Sequence, residues 1–299
     1  MDIEIDILKE LTIANKAWIE AKKVAEKEVK EGNSILDAAE KIEAEIRKHA
    51  DIAFPVNLSR DNSAAHYSPL SYSTEKFGKE LVKVDIGAHS NGFTVDGAFT
   101  IDLTGKNSKL VKASESALEK ASDYIVKNKK DSKIGKIGEI IENEIVSFGF
   151  KPIRNLTGHT IDEFDLHAGK SIPNINTNDP STLGVDKIYA IEPFATTGSG
   201  IVKEAGFNSI YFLTGKQTRN PAGREILKEV EERLGLPFSE RWVGTKLSPT
   251  SKKLALNLLD REGCIKSAHQ LDDIPGCLVS QAEKTVYIDE DNKVHVFCK

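Results

Sequence analysis

Residues 83–102 read KVDIGAHSNGFTVDGAFTID. Two β-rich runs flank His-Ser-Asn-Gly, the composition of a hairpin turn. With the turn centred on Ser90-Asn91, Asp85 and Asp96 stand directly opposite, their Cβ atoms roughly 4.5–5.5 Å apart. With the turn on Asn91-Gly92 the pairing slides, but both carboxylates keep to one face. Two carboxylates this close repel unless a cation or a proton lies between them. A pair of surface acids on an exposed face is the alternative. The neighbours Val84, Ile86, Val95 and Phe99 argue for burial instead.

Working outward, residues 155–175 read NLTGHTIDEFDLHAGKSIPNI. A hairpin centred near residue 163 brings His159 and His167 onto one face. Neutral imidazole suits Zn, Fe, Mn or Co, and carboxylates suit harder ions. A lone histidine is more often a satisfied core residue than a ligand. Gly158 and Gly169 beside these two suggest close backbone approach. Two more carboxylates lie in apolar strand contexts, Glu192 in KIYAIEPFATTGSG (187–200) and Glu283 in CLVSQAEKTVYI (277–288), the latter read as mid-strand. Glutamate is disfavoured within a strand and costly to bury unpaired. Taken singly, either glutamate reads as solvent-facing. Together, four carboxylates and a histidine fall on strands from both halves of the chain. Two divalent ions would offset that charge, polarise a carbonyl and make hydroxide from water near neutral pH. The spacing is not that of a HExxH zincin, and there is no GxSxG elbow or P-loop.

Around these motifs the chain is organised in two similar parts. Residues 5–31 and 35–49 carry helical apolar stripes, the first through Ile7, Leu8, Leu11, Ala14, Trp18, Ala21 and Ala25. Ser34 with Asp37 resembles a capping box. A second helix pair is expected at 107–128 and 132–148, the latter opening with Ser132. Residues 34–59 lie over 132–157 without gaps, each a capped helix, an apolar strand, then Asn-Leu-Ser or Asn-Leu-Thr. A duplicated helix–helix–strand unit places a site at the junction of its halves, where pockets often form. Strands are expected at Leu81–Ile86, Phe93–Leu103, Ile153–Ile161, Ile188–Phe194, Cys277–Ile288 and Val294–Phe297. Residues 205–268 differ, being helical in pattern and polar, and read as an inserted helical subdomain.

Composition narrows the function classes. The 299 residues carry 41 Lys+Arg against 46 Asp+Glu, a net charge of −5, which argues against a dedicated nucleic-acid binder. No run approaches the roughly 18–20 apolar residues of a membrane span. The acidic start, MDIEIDILKELTIANKAW, lacks the basic and apolar regions of a signal peptide. Three widely spaced cysteines, Cys264, Cys277 and Cys298, without CxxC, make a disulfide framework or a cysteine metal site a poor fit. A cytoplasmic protein whose metal ligands come from Asp, Glu and His is the expectation.

The ordered set DIGAHSNGFTVDGAF, LTGHTI, HAGKSIP, YAIEPF and SQAEKTV resembles the methionine aminopeptidases of the pita-bread metallopeptidase family. The resemblance runs from about residue 5 to the C-terminus. FPVNLSRDNSAAHYSP (54–69) and the polar insert, with GLPFSERW (235–242), resemble the type 2 branch in its short archaeal form. It implies an α+β, pita-bread (creatinase/aminopeptidase) fold with pseudo-twofold related halves. It divides the chain into a catalytic domain, 1–204 and 269–299, and an inserted winged-helix-like subdomain, 205–268. It implies a metal-dependent exopeptidase that removes the N-terminal methionine of nascent proteins when the second residue is small. Asp85, Asp96, His159, Glu192 and Glu283 would hold two divalent ions (Co, Mn, Fe or Zn), with Asp96 and Glu283 bridging. Glu192 would also relay the proton from a bridging water. His66 and His167 would position the scissile amide and stabilise the tetrahedral intermediate. Phe54, Leu166, Phe194, Ile210 and Pro237 would line the methionine pocket. A monomer is expected, with ribosome docking left open. Two other readings compete: a proline-specific aminopeptidase or prolidase, which usually carries a separate N-terminal domain, and a non-catalytic binding module, which lacks some ligands.

Overall fold

The computed structural model describes residues 6–299. The starts of the first expected helix and of the 1–204 domain, residues 1–5, lie outside the described residues. The first half opens with α1 (Ile7–Glu28) and α2 (Ile35–Ile46), followed by β1 (Asp51–Arg60), β2 (Ser63–Ala65), β3 (Leu81–Ser90) and β4 (Phe93–Asp102). Ser34 caps α2, accepting from the Asp37 N–H at 3.2 Å, which satisfies one of the free donors of the first turn. The apolar stripe of α1 is buried at Leu11, Ala14, Trp18, Ala21 and Ala25. Its alanines let the helix lie close on the β3–β4 hairpin, where the Trp18 indole N–H donates to the Gly97 carbonyl at 3.0 Å. A Cβ on Gly97 would stand 2.9 Å from the Trp18 ring and 2.5 Å from Cys298 Cβ, so only glycine allows that approach beside Asp96.

The second half repeats the plan with α3 (Ser108–Asn128), α4 (Ile134–Ser147), β5 (Lys151–Pro152), β6 (Thr157–Ile161), β7 (Ser171–Pro173), β8 (Lys187–Ile191) and β9 (Phe194–Thr196). Ser132 does not cap α4: the cap position falls on Lys133. The backbone of this segment is instead held from outside, the Ile134 N–H by Ser181 O and the Leu183 N–H by Ser132 O.

Next come β10 (Lys203–Leu213), α5 (Pro221–Glu229), β11 (Phe238–Ser239), α6 (Pro249–Arg261) and β12 (Ile265–Asp272). The two helices pack with Tyr211, Phe238 and Ile265 into an apolar cluster of their own. The chain ends with β13 (Val279–Gln281), β14 (Lys284–Ile288) and β15 (Val294–Val296). The sheets run β1-β3-β4, β11-β10-β12-β2, β13-β9-β5 and β15-β14-β8-β6-β7. One helix pair covers each half: α1 and α2 share a core with β3 and β4, and α3 and α4 share another with β8 and β14. This is the pita-bread arrangement expected from the sequence, α+β with two related halves; the 205–268 segment, expected to be helical, instead opens and closes with the paired strands β10 and β12, because that pairing joins it to β2. No described helix is long and apolar enough to cross a membrane. The three cysteines are buried and free.

The halves meet along β4. The Glu283 N–H donates to Ala98 O at 2.8 Å. On either side a threonine grips the opposing backbone twice. The Thr285 hydroxyl accepts from the Asp96 N–H at 2.7 Å and donates to Asp96 O at 2.8 Å. The Thr100 hydroxyl accepts from the Gln281 N–H at 2.9 Å and donates to Gln281 O at 2.8 Å. These contacts put a residue of each half opposite the other at the level of the carboxylates.

Candidate active site

The β3–β4 turn falls on Asn91-Gly92, whose φ angles of 48° and 85° suit the type I′ turn that matches strand twist. Asp85 therefore pairs with Ala98, and Asp96 with Gly87. The direct opposition of Asp85 and Asp96 expected for a Ser90-Asn91 turn does not occur. The carboxylates stand on a diagonal of one face, the outcome expected for the alternative turn. They remain in contact: burial and the neighbouring Asp85 charge raise Asp96, whereas Asp85 is raised by burial and Asp96 acts on it in the lowering sense.

Glu192 and Glu283 are not mid-strand. Glu192 and Pro193 interrupt the run from β8 to β9, and Ala282 and Glu283 interrupt the run from β13 to β14. The breaks face each other: β8 pairs with β14 up to Ile191↔Lys284, β9 pairs with β13 from Phe194↔Gln281, and the Ala282 N–H reaches Pro193 O at 3.2 Å. A matched bend in two paired strands frees both glutamates from the pleat and turns them toward β4. The Asn174 amide donates to Glu192 O at 3.2 Å and to Leu156 O at 3.0 Å, fixing the backbone at the bend.

His159 lies on β6 with Nε2 3.8 Å from both Asp96 Oδ2 and Glu192 Oε1. Ligand atoms of Asp96, His159 and Glu283 all lie within 4.8 Å of one another. These separations exceed hydrogen bonds and are short enough for one cation to serve several groups. On its other edge His159 Nδ1 faces Thr160 O at 3.4 Å. A carbonyl only accepts, so Nδ1 carries the proton and Nε2 presents its lone pair to the carboxylates. Burial, helped by neighbouring His167, lowers the His159 pKa to about 3, so the ring is neutral.

The carboxylates respond in the opposite sense. Burial pushes Asp85 up to about 7. Burial and mutual repulsion raise Asp96, Glu192 and Glu283 well above the carboxylate range. Buried oxygens of Asp85, Asp96, Asn57 and Gln281 lack hydrogen-bond partners. Four orphaned acceptors around one point call for positive charge, and an N/O donor set of carboxylates and imidazole fits a divalent ion.

All five of these residues line a single cavity of about 240 Å³. His66 and His167 line it too. His66 has a φ of 65°, and its Nδ1 meets His269 O at 3.1 Å. Its Nδ1 thus holds the proton and its Nε2 is an acceptor. Burial lowers the pKa of both His66 and His167. The His159 and His167 rings lie tilted at 52° with centroids 4.4 Å apart, but the hairpin expected around residue 163 is replaced by one in which His159 pairs with Ser171 and His167 stands in the loop between β6 and β7. The apolar walls comprise Phe54, Leu166, Phe194, Ile210 and Pro237. So the cavity collects every residue singled out from the sequence.

It also holds residues that sequence reasoning missed, chiefly Asn57, Asn155 and Phe212. Asn57 is the β1 partner of Asp85. Phe212 follows Ile210 by two on β10, so strand periodicity alone puts it on the same face; its ring lies 6.5 Å from that of His167. Asn155 opens Asn-Leu-Thr, the repeat counterpart of Asn57 in Asn-Leu-Ser, so the duplication itself was its signal.

With this geometry in view, known proteins can be compared. The family model of metallopeptidase family M24 matches residues 9–226. A methionine aminopeptidase of Methanocaldococcus jannaschii is 39% identical over 293 residues, 97% of this chain and 98% of that protein. The chain belongs to metallopeptidase family M24. Among solved structures, a thermophilic Arx1 superposes with a TM-score of 0.81 at 17% identity, over 96% of this chain and 89% of that one. A methionine aminopeptidase of Thermotoga maritima superposes with a TM-score of 0.69 at 20% identity, over 99% and 98%. At such identities these two likenesses speak to the M24 fold alone. Membership of a metallopeptidase family agrees with the donor chemistry of the cavity.

Proposed function

We propose that this chain is a metal-dependent exopeptidase that removes the N-terminal methionine from peptides and nascent proteins whose second residue is small. One observation carries the reading: five candidate ligands, two further histidines and an apolar wall share a single cavity. The named activity of the M. jannaschii relative supports it. Asp85, Asp96, His159, Glu192 and Glu283 would hold two divalent ions, and Co, Mn, Fe and Zn all suit the donors. When bound, such ions polarise a carbonyl and acidify water.

The protein's own residues do the rest. Glu192, raised in pKa by burial and by Asp85, is a carboxylate that can take a proton from the attacking water and pass it to the leaving amine. His66, with Nε2 as acceptor, receives the amide N–H of the scissile bond and aligns it. His167, neutral and with its ring centroid 4.4 Å from that of His159, donates toward the oxygen where negative charge develops. Phe54, Leu166, Phe194, Ile210 and Pro237 enclose the methionine side chain, whose thioether suits an aromatic wall. Residues 205–268 form an inserted subdomain on this reading, and their separate apolar cluster supports the division. Nascent chains as substrates imply a cytoplasmic enzyme, and the family resemblance makes it a monomer.

The test is peptide release. With divalent metal, Met-Ala-Ser and Met-Gly should lose methionine rapidly, and Met-Lys or Met-Glu slowly. Equal rates for bulky second residues, or preference for X-Pro, would overturn the reading.

A further inference from the structure

Arg233 ends the short helical turn Glu231–Arg233, outside the catalytic cavity. Its guanidinium makes three hydrogen bonds, all to backbone carbonyls. Nη2 donates to Ile52 O at 2.8 Å and to Ala53 O at 2.9 Å, and Nε donates to Pro237 O at 2.9 Å. Ile52 and Ala53 stand where β1 slips register against β3, between the pairs Ile52↔Ala88 and Phe54↔Gly87. A bulge of this kind leaves carbonyls outside the ladder and re-aims the side chain that follows. Here that side chain is Phe54, whose ring occupies the space a Cβ on Gly87 would need, 2.1 Å from Phe54 Cε1.

The same residue shapes the opposite wall, through its backbone as well as through Nε on Pro237 O. The Leu236 N–H donates to Arg233 O at 2.9 Å, closing a turn in which Leu234 and Gly235 take φ angles of 51° and 113°. Leu236 is buried with Ala53, Phe54 and Leu166, and Pro237 lines the catalytic cavity. From below, Arg233 stacks 5.0 Å from the Trp242 ring, which Glu43 holds through the indole N–H at 2.9 Å. One planar group therefore ties a bulge in β1 to a loop between α5 and β11.

We infer that Arg233 is a positioning residue that sets the width of the N-terminal side-chain pocket, by fixing Phe54 and Pro237 relative to each other, and so determines the preference for methionine over branched side chains. The inference rests on the aminopeptidase reading above. A guanidinium suits the task because its planar fork reaches several acceptors at once, which an ammonium cannot reproduce.

The experiment uses the metal-loaded full chain and the peptides Met-Ala-Ser and Leu-Ala-Ser. In Arg233→Ala, KM for Met-Ala-Ser should rise about tenfold and the Met-over-Leu preference should fall about tenfold, the scale of a one-methylene misfit. The kcat and its pH profile should stay within about threefold, since no proton-transferring group moves. Arg233→Lys should fall between. A second cavity, of about 460 Å³, is lined by Arg233, Ile52 and Trp242 and gives access from solvent. Millimolar guanidinium chloride should therefore restore KM and preference in Arg233→Ala, while sodium chloride should not. A folded variant with preference unchanged overturns the inference. So does a proportional fall of kcat on both peptides without guanidinium rescue, the mark of a merely structural role. If Arg233→Ala does not fold, Arg233→Lys decides by the same ratio. Failure of the parent to release methionine overturns the aminopeptidase reading and this inference with it; release by the parent with an indifferent variant overturns the inference alone.

Discussion

Replacing Glu43 with glutamine probes how the α5–α6 segment is held to the body. Glu43 sits on α2 with 1% of its surface exposed. Its carboxylate accepts from Arg241 Nη1 at 2.8 Å and Nη2 at 2.6 Å, from Trp242 Nε1 at 2.9 Å and from the Val56 N–H at 3.2 Å. Arg241 in turn donates to Pro69 O at 3.0 Å and Ser68 Oγ at 3.1 Å. Glutamine keeps the volume but turns one acceptor into a donor facing other donors. It also leaves the Arg241 charge buried without its counterion. Removing one partner of a buried pair costs about 3–5 kcal/mol. An isosteric amide retains part of the bonding, so the lower end, about 3 kcal/mol, is expected. At ~2 °C per kcal/mol for a chain of this size, the Tm should fall by roughly 6 °C. Thermal and urea unfolding with chelator present would measure this without metal linkage. Arg241→Met should cost a similar amount. The double variant Glu43→Gln/Arg241→Met should cost clearly less than the sum of the two singles, by about 2 kcal/mol, because neither charge is stranded. A loss below about 1 kcal/mol in Glu43→Gln, or strict additivity in the cycle, would refute the reasoning.

Glu192→Gln should fold normally by circular dichroism yet lose about 10²–10⁴-fold in turnover; activity within a few-fold of the parent removes Glu192 from proton transfer. Burial raises Asp85, Asp96, Glu192 and Glu283 and lowers His66, His89, His159, His167 and Lys83, so below about pH 6.5 the extra protons on the folded acids and the unfolded histidines offset each other, and above it the four acids outweigh the single opposing group, Lys83, lowered to about 7. Metal-free protein should therefore lose stability between about pH 6.5 and 8, and saturating divalent metal should abolish that slope; a flat metal-free profile in thermal melts counts against the buried acid cluster. Gly87→Ala puts a Cβ 2.1 Å from Phe54 Cε1, so the ring must move, with about 1–3 kcal/mol lost and a raised KM for methionyl peptides; an unchanged KM would remove Phe54 from the pocket wall.

What was legible in the sequence followed from local chemistry. The face shared by Asp85 and Asp96 came from a hairpin period of two, which any turn near Asn91 preserves. The exact pairing did not, because Ser90-Asn91 and Asn91-Gly92 both look like turns, and only the freedom of Asn and Gly at positive φ separates them. The bends at Glu192 and Glu283 were half visible: Pro193 interrupts one strand, but nothing in Gln-Ala-Glu-Lys announces the other. That second bend is imposed by its partner strand through Pro193 O. The capping role expected of Ser132 failed because Ser181 O and the Ser132 carbonyl bond to segments some fifty residues apart hold that helix start instead. Glu43–Arg241 and Arg233–Ile52 join residues far apart in the chain, and no periodicity reports such pairs.

The threonine clamps bear on how strongly a metal would be held. Asp96 and Glu283 belong to different halves, yet Thr285 fastens the Asp96 backbone and Ala98 fastens that of Glu283. Their spacing is thus set by a backbone ladder and does not await an ion. Carboxylates fixed at that spacing cannot relax apart, so in the absence of metal the repulsion is relieved only by protonation, which is the direction all four acids take. A divalent ion entering the cluster must displace those protons and finds its donors already in place, with no ordering cost to subtract from its affinity. Weakening a clamp, as in Thr285→Val, should accordingly lower metal affinity and reduce the number of protons released on binding together, both readable by calorimetry in buffers of different ionisation enthalpy. Affinity falling with proton release unchanged would mean that the clamp acts on the ligand atoms in some way other than through their enforced spacing.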